Sequence, residues 1–166
     1  ITVSIFLITL LLIFYKAFNL NNKIFFLLFF ALILHDLGLF GFYNLSPLPF
    51  AYDHLTHFIG GFSLSTFFLN YLRKSFEKFK INNSFFILIA FFSALGVGSI
   101  IEIIEYFGYL ILGAGEGAFY FGGTGDISYG TNLLTGEWIN SSLDMTFNLI
   151  GSLFGILIYF LSKKIK

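Results

Sequence analysis

Long runs of apolar residues make up most of the chain, and short polar stretches separate them. Five runs stand out, each close to or above the ~20 residues that a helix needs to cross a bilayer. Apolar residues follow one another without alternation, which favours helices over the strands of a membrane barrel. The pattern predicts an all-α integral membrane bundle of five transmembrane helices. The spans are expected at about 1–20, 24–43, 54–72, 85–112 and 143–161, with an outer loop at 113–142.

The composition supports this prediction and excludes several other classes of protein. Hydrophobic residues make up 57% of the chain and charged residues 11%, whereas soluble domains carry about 25% charged residues. The formal net charge of zero argues against a partner that is nucleic acid, and the lack of cysteine excludes a disulfide scaffold. Five spans leave no room for a separate soluble domain, so residues 1–166 are expected to form one membrane domain in contact with the lipid bilayer.

The basic residues predict the orientation of the bundle. All nine Lys and Arg residues follow the first, third or fifth span, and with five spans these places share one side of the membrane. The positive-inside rule makes that side cytoplasmic. We therefore expect a multi-pass protein of the cell membrane with its N-terminus outside and its C-terminus in the cytoplasm. The first run lacks a basic n-region and a small-residue cleavage site, so it is interpreted as a span rather than a signal peptide.

Ionisable residues inside the spans are costly and are therefore the first candidates for a functional site. At ~1.5 Å per helical residue, those of four helices lie roughly 18–30 Å from the basic boundary. They occupy the outer third of a hydrocarbon core about 30 Å thick. Spacings of three or four residues place each group on one helix face. The candidate polar site comprises His54, His57, Glu102, Glu105, Asp126, Asp144 and Asn148, with His35, Asp36 and Asp53 as secondary members.

These side chains fit three interpretations. Histidine and carboxylates on facing helices are ligands for a divalent metal, and the best candidates are His57, Glu102, Glu105 and Asp144. Neighbouring carboxylates can also act as the acid and the base of a general acid/base site. The third interpretation is a structural polar network that fixes helix register. No sequence motif identifies catalytic residues, and a divalent metal is the one cofactor that the residues suggest.

Asp126 lies in a Gly-rich part of the outer loop and has two interpretations of its own. Gly and Asp favour turns, so the residue could simply help the chain to reverse direction. The loop also lies on the same side of the membrane as the candidate polar site. It could therefore fold over the site and place the Asp126 carboxylate at its mouth.

Four motifs resemble those of a known family. They are Asp53-His54-x-x-His57-Phe58-x-x-Gly61, Glu102-x-x-Glu105-Tyr106, Gly125-Asp126 and Asp144-Met145-x-x-Asn148-x-x-Gly151-x-x-x-Gly155. In this order they resemble the YjdF-type membrane proteins of bacteria and archaea over roughly residues 24–160, although Thr124 stands where that family has Gln. The last motif and the His-Phe pair are also similar to the VanZ-like group. The resemblance implies a small polytopic membrane protein, and it groups His57, Glu102, Glu105, Asp126 and Asp144 in one site.

Two functions remain in competition at this point. The first is an outward-facing polar site that binds a divalent metal or a polar headgroup of a lipid or envelope precursor. The second is a non-catalytic accessory or structural subunit of a larger membrane complex, which suits a small protein with little mass outside the membrane. A transporter is disfavoured, because the inner two thirds of the spans hold few polar side chains, among them Asn70, Ser93 and Ser99.

Overall fold

A computed structural model describes residues 2–43, 51–112 and 133–164 of the chain. Every regular element in these ranges is helical and none is a strand, which confirms the predicted all-α class. Helix α2 continues into a π-helical segment, Gly38–Phe42. The helices are α1 (Thr2–Ile13), α2 (Asn22–Leu37), α3 (Tyr52–Lys78), α4 (Asn83–Leu112) and α5 (Leu133–Lys164).

The connection between α1 and α2 explains why α1 is shorter than the predicted first span. The chain turns at residues 14–19, and Asn19 adopts a left-handed backbone conformation with φ of 51°, which Asn tolerates better than most residues. The Asn21 side chain then caps α2 by accepting a hydrogen bond from the Ile24 N–H at 3.1 Å. Asn19 and Asn70 each donate a side-chain N–H to the other's backbone carbonyl. Asn70 therefore fastens this turn to α3.

Helix α5 begins ten residues before the predicted fifth span. The loop was expected to run to residue 142, whereas α5 begins at Leu133. Glycine accounts for the difference, because it is the least favourable helix residue after proline. Seven glycines occur between Gly113 and Gly130, and Gly136 alone falls between 131 and 142. Asp126 and the rest of this loop lie outside the described residues.

The packing of the bundle centres on α3, which contacts α2, α4 and α5 and has its most extensive contact with α5. Glycine makes that contact possible. A Cβ atom on Gly61 would collide with the backbone carbonyl of Asn148, and one on Gly151 would collide with that of Phe58. Small residues that let two backbones approach in this way are typical of helix pairs in membranes. The close approach sets the N-terminal half of α3 against the middle of α5.

The bundle buries several polar side chains beside its apolar core, and many large apolar side chains are exposed on its surface. Ser63, Ser65 and Ser152 are almost completely buried, whereas Phe92 is 58% exposed and Ile111 is 77% exposed. In soluble proteins large apolar residues are mostly buried and serines mostly exposed. The reversed distribution suits a protein whose surroundings are lipid.

Two helical stretches are long and apolar enough to cross a membrane, as judged by length and composition. They are Asn83–Phe107 in α4 and Ser141–Ser162 in α5, and Ser4–Ile13 in α1 is a shorter apolar helix. No other helix in the described ranges meets the same test. Helix α3 is long enough but more polar, because it carries the histidines and serines that face the interior.

Candidate metal centre

His57 lies at the centre of a cluster of acidic side chains, and its nearest neighbour on α3 is Asp53. The i,i+4 spacing puts both residues on one face of the helix, and His57 Nε2 lies 3.3 Å from Asp53 Oδ1. Asp53 is in the first turn of α3, where the helix dipole favours a negative charge. The Thr56 hydroxyl donates a hydrogen bond to Asp53 Oδ1 at 3.1 Å. The start of α3 therefore presents an imidazole and a carboxylate side by side.

Helix α5 contributes Asp144 and Asn148, which are again separated by one helical turn. Asp144 Oδ1 lies 3.9 Å from His57 Nε2, and Asn148 Nδ2 lies 3.2 Å from His57 Nδ1. A Cβ atom on Gly98 of α4 would lie 3.0 Å from Asn148 Nδ2. Asn148 therefore occupies the place where α3, α4 and α5 meet.

Helix α4 completes the cluster with Glu102 and Glu105. Glu102 Oε1 lies 3.3 Å from His57 Nδ1, and the Ser141 side chain of α5 hydrogen-bonds to Glu102. Glu105 follows three residues later on the same face. The ligand atoms of His57, Glu102 and Glu105 all lie within 4.8 Å of one another. Three helices thus supply the four carboxylates around one imidazole.

The acidic members of the cluster are buried without a full set of hydrogen bonds. Asp144 is 0% exposed, Glu102 5% and Asp53 7%. Within the described part of the chain, no hydrogen-bond donor reaches Asp53 Oδ2 or Glu102 Oε1. The sequence has no Lys or Arg in residues 51–72, 83–112 or 133–162. A buried acceptor left unsatisfied costs about 1–3 kcal/mol, and a charged one more. Within these ranges, positive charge beside the carboxylates can come only from a histidine.

Two of the three distances around His57 match those between ligands of a common cation, and the third, from Nε2 to Asp144 Oδ1, is longer at 3.9 Å. Two ligand atoms bound at ~2.0–2.1 Å to one tetrahedral ion lie about 3.3 Å apart, and both Nε2–Asp53 and Nδ1–Glu102 measure 3.3 Å. Charge-assisted N–H···O hydrogen bonds are shorter, at about 2.7–2.9 Å. Two groups could hold a metal ion, each with ligand atoms within 4.8 Å of one another: Asp53, His57 and Asp144, and His57, Glu102 and Glu105.

One histidine expected in the candidate site is not part of these groups. His54 stacks on Phe147 of α5, with ring centroids 4.4 Å apart and an angle of 11° between the planes. That stacking turns the His54 ring towards the contact between α3 and α5. Asp126 belongs to the segment outside the described residues, so its expected place over the cluster stays a prediction.

The secondary candidates on α2 have partners of their own. The Tyr43 hydroxyl lies 2.8 Å from His35 Nδ1, which ties the π-helical segment back to α2. The Ser4 hydroxyl donates a hydrogen bond to Asp36 Oδ1 at 2.7 Å, which ties α1 to α2. Neither His35 nor Asp36 belongs to the two ligand groups.

Asp53 has a more central place than the sequence suggested. It was a secondary candidate, and the third span was expected to start at residue 54, whereas α3 starts at Tyr52. Asp53 is therefore inside the helix, and its carboxylate is as close to His57 as that of Glu102. The i,i+4 spacing from His57 indicated that Asp53 would face the same side of the helix. That inference holds only if the helix begins before residue 53.

Comparison with protein families gives one finding. The family model described as "Predicted membrane protein (DUF2238)" matches residues 1–164, which includes every residue of the cluster. No curated protein and no solved structure matches the chain significantly.

Proposed function

The chain belongs to the DUF2238 family of predicted membrane proteins, and we propose that it binds a divalent metal cation inside its helical bundle. Membership of this family confirms the resemblance to YjdF-type proteins, while the similarity to the VanZ-like group stays a prediction. In the proposed site the cation contacts His57 Nε2 and the carboxylates of Asp53 and Asp144. These ligands come from α3 and α5, the two helices with the most extensive contact.

The observation that carries this proposal is the excess of buried negative charge around His57. An uncompensated charge at membrane depth costs at least ~2.5–3.5 kcal/mol on insertion scales. One imidazolium could neutralise only one of the four neighbouring carboxylates, and the sequence places no other basic side chain in these parts of the helices. A divalent cation compensates two carboxylates at once and supplies a partner for oxygens that lack a donor.

The ligand set also indicates which cations fit. One imidazole with carboxylates is a set of hard and borderline ligands, which suits Zn²⁺ or Mn²⁺ and does not favour Cu(I). Three protein ligands leave at least one coordination position open, as in catalytic rather than structural zinc sites. Water could occupy that position, and so could an anionic headgroup of a lipid or envelope precursor.

We further infer that all five helices span the membrane and that the cluster faces the outer side. Support comes from the basic residues, which all follow the first, third or fifth predicted span. His57 lies near the start of α3 and Arg73 near its end, so the cluster is far from the basic turn between α3 and α4. A headgroup of the outer leaflet would therefore have the shorter route to the cation.

Metal analysis of the purified protein tests the proposed function. The protein in detergent is stripped with a chelator, equilibrated with Zn²⁺ or Mn²⁺, desalted and analysed by mass spectrometry of the elements. We expect at least one cation per chain, and at least a tenfold loss of affinity in Asp53→Asn, which keeps an acceptor for Thr56. The matched control Asp36→Asn should bind like the wild type, because Asp36 pairs with Ser4 outside the cluster.

The opposite result would favour the competing function. If the folded wild-type protein retains no cation and its unfolding temperature is the same with metal and with chelator, the cluster is a structural network. The protein would then fit better as an accessory subunit, and a stoichiometric partner should copurify with it in mild detergent.

A further inference from the structure

One ring nitrogen of His57 faces Asp53 and Asp144, and the other faces Glu102. Nε2 is close to Asp53 at 3.3 Å and to Asp144 at 3.9 Å. Nδ1 is 3.3 Å from Glu102, and Glu105 belongs to the same group of potential ligands. The two nitrogens of an imidazole ring are distinct and point away from each other. The cluster therefore consists of two halves that share one histidine.

We propose that the cluster binds two divalent cations, one at each nitrogen of His57. The first is held by Nε2, Asp53 and Asp144, and the second by Nδ1, Glu102 and Glu105. This inference rests on the proposed function, because it takes the cation at Nε2 as given and adds the second. His57 becomes the bridge between the two cations.

The balance of charge favours two cations over one. If all four carboxylates are ionised, they carry four negative charges, and a single divalent cation beside a neutral imidazole compensates only two of them. Two divalent cations bring four positive charges. For both nitrogens to act as ligands the ring must lose its remaining N–H proton, so the second binding step releases one proton to solvent. The complete assembly then carries one net negative charge instead of two.

The surroundings of Nδ1 argue against the simplest alternative. A histidine that binds a metal through one nitrogen usually donates its other N–H to a carboxylate, and Glu102 would be that carboxylate. Glu102 Oε1, however, accepts no hydrogen bond from the described residues, although it lies 3.3 Å from Nδ1. Asn148 Nδ2 also lies close to Nδ1, at 3.2 Å. The buried Glu102 oxygen without a donor, next to Nδ1 and Glu105, suits a second cation.

The experiment counts bound cations in variants that remove one half of the cluster at a time. Wild-type protein, stripped and then equilibrated with Zn²⁺, should hold two cations per chain. Asp144→Asn removes a ligand of the first cation, and Glu105→Gln removes a ligand of the second. Each variant should hold one cation, and the double variant should lose both. Asp36→Asn and Glu77→Gln are the matched controls, and both should hold two.

Proton release and spectroscopy distinguish the two halves independently of the count. A pH-stat titration should show one proton more for the second equivalent of Zn²⁺ than for the first. With Cu²⁺ as the probe, two equivalents in the wild type should give a magnetically coupled pair with a reduced electron paramagnetic resonance signal. Glu105→Gln should bind one Cu²⁺ and give the full signal of an isolated ion. Helical content by circular dichroism confirms that each variant is folded before it is counted.

The outcomes test the two-cation inference separately from the proposed function. One cation per chain in the folded wild type overturns the two-cation inference and leaves the proposed function in place. The same holds if Asp144→Asn abolishes all binding while Glu105→Gln changes nothing. No bound cation in the wild type overturns both.

Discussion

Glu102 should affect the stability of the protein in opposite directions with and without a cation. Glu102→Gln replaces a buried carboxylate by a neutral amide of the same shape. In the presence of a chelator, we expect the variant to be as stable as the wild type or up to ~1–4 kcal/mol more stable. With Zn²⁺ at about 100 times its Kd, the wild type should gain about 2.7 kcal/mol and the variant much less. Thermal unfolding in detergent, followed by circular dichroism, measures both.

Glu77→Gln is the control for this comparison, because Glu77 has a side chain that is 62% exposed and pairs with Arg73 on the surface. Its substitution should change the unfolding temperature little under either condition. If Glu102→Gln lowers stability equally in chelator and in Zn²⁺, the Glu102 carboxylate has a structural role and does not respond to metal.

At the scale of single residues, the sequence predicted the composition of the cluster better than its geometry. Spacing correctly suggested that His57 and Glu102 would be neighbours in space, since costly side chains at the same depth tend to meet. Spacing could not separate His54 from His57. Three residues along a helix correspond to about 300° of rotation, so the two rings diverge by about 60°, and the neighbours of α3 decide which ring faces the acids. The His54 ring stacks on Phe147, and the His57 ring faces the carboxylates.

The contact between α3 and α5 should depend on one glycine of an adjacent pair. Gly61→Ala would press a methyl group against the backbone carbonyl of Asn148. We expect it to destabilise the fold by ~1–3 kcal/mol or more and to weaken Zn²⁺ binding by moving α5, and with it Asp144, away from His57. Unfolding temperature and zinc affinity in detergent measure the two effects.

Gly60→Ala is the matched control, because a Cβ at Gly60 would have no described atom within 4 Å beyond its chain neighbours and its own helix backbone. The same substitution one residue earlier should be neutral or stabilising by up to about 1 kcal/mol, since alanine favours helix. Equal destabilisation by both substitutions would mean that close helix approach at Gly61 does not limit stability.

At the scale of helices, the sequence predicted the close approach but not the partners of each glycine. Gly60 and Gly61 are adjacent and look alike in the sequence. The rotation of α3 against α5 distinguishes them, and that rotation is a property of the assembled bundle. Helix boundaries were missed for a local reason. The turn at Asn19 and the start of α5 at Leu133 depend on backbone preferences inside segments that were assigned by hydrophobicity alone.

The orientation of the whole molecule is the prediction with the most direct test. Because all nine basic residues follow the first, third or fifth predicted span, the positive-inside rule places these connections in the cytoplasm. Reporter fusions after Lys80 and Lys166 should be active only as cytoplasmic reporters, and a fusion within 113–142 only as an external one. An external signal at Lys80 would reverse the inferred orientation and move the cluster to the cytoplasmic side.

For the molecule as a whole, composition was enough to predict a membrane protein, because an apolar surface rich in Phe and Ile raises the hydrophobic fraction of the whole chain. The arrangement of the interior was harder to predict. The cluster needs α3, α4 and α5 at one level, and the sequence gives the depth of each residue along its own helix without the rotation that turns it inward.

The polar character of α3 has a consequence for how the protein is made. Of the three helices that carry the cluster, α4 and α5 contain stretches that are long and apolar enough to cross a membrane, as judged by length and composition, and α3 does not meet the same test. The partners of His57 on α4 and α5 follow α3 along the chain, so they leave the ribosome after it. In the five-span arrangement, we therefore expect α3 to remain beside the translocation channel or a membrane insertase until its later neighbours arrive, and the three helices to enter the lipid together.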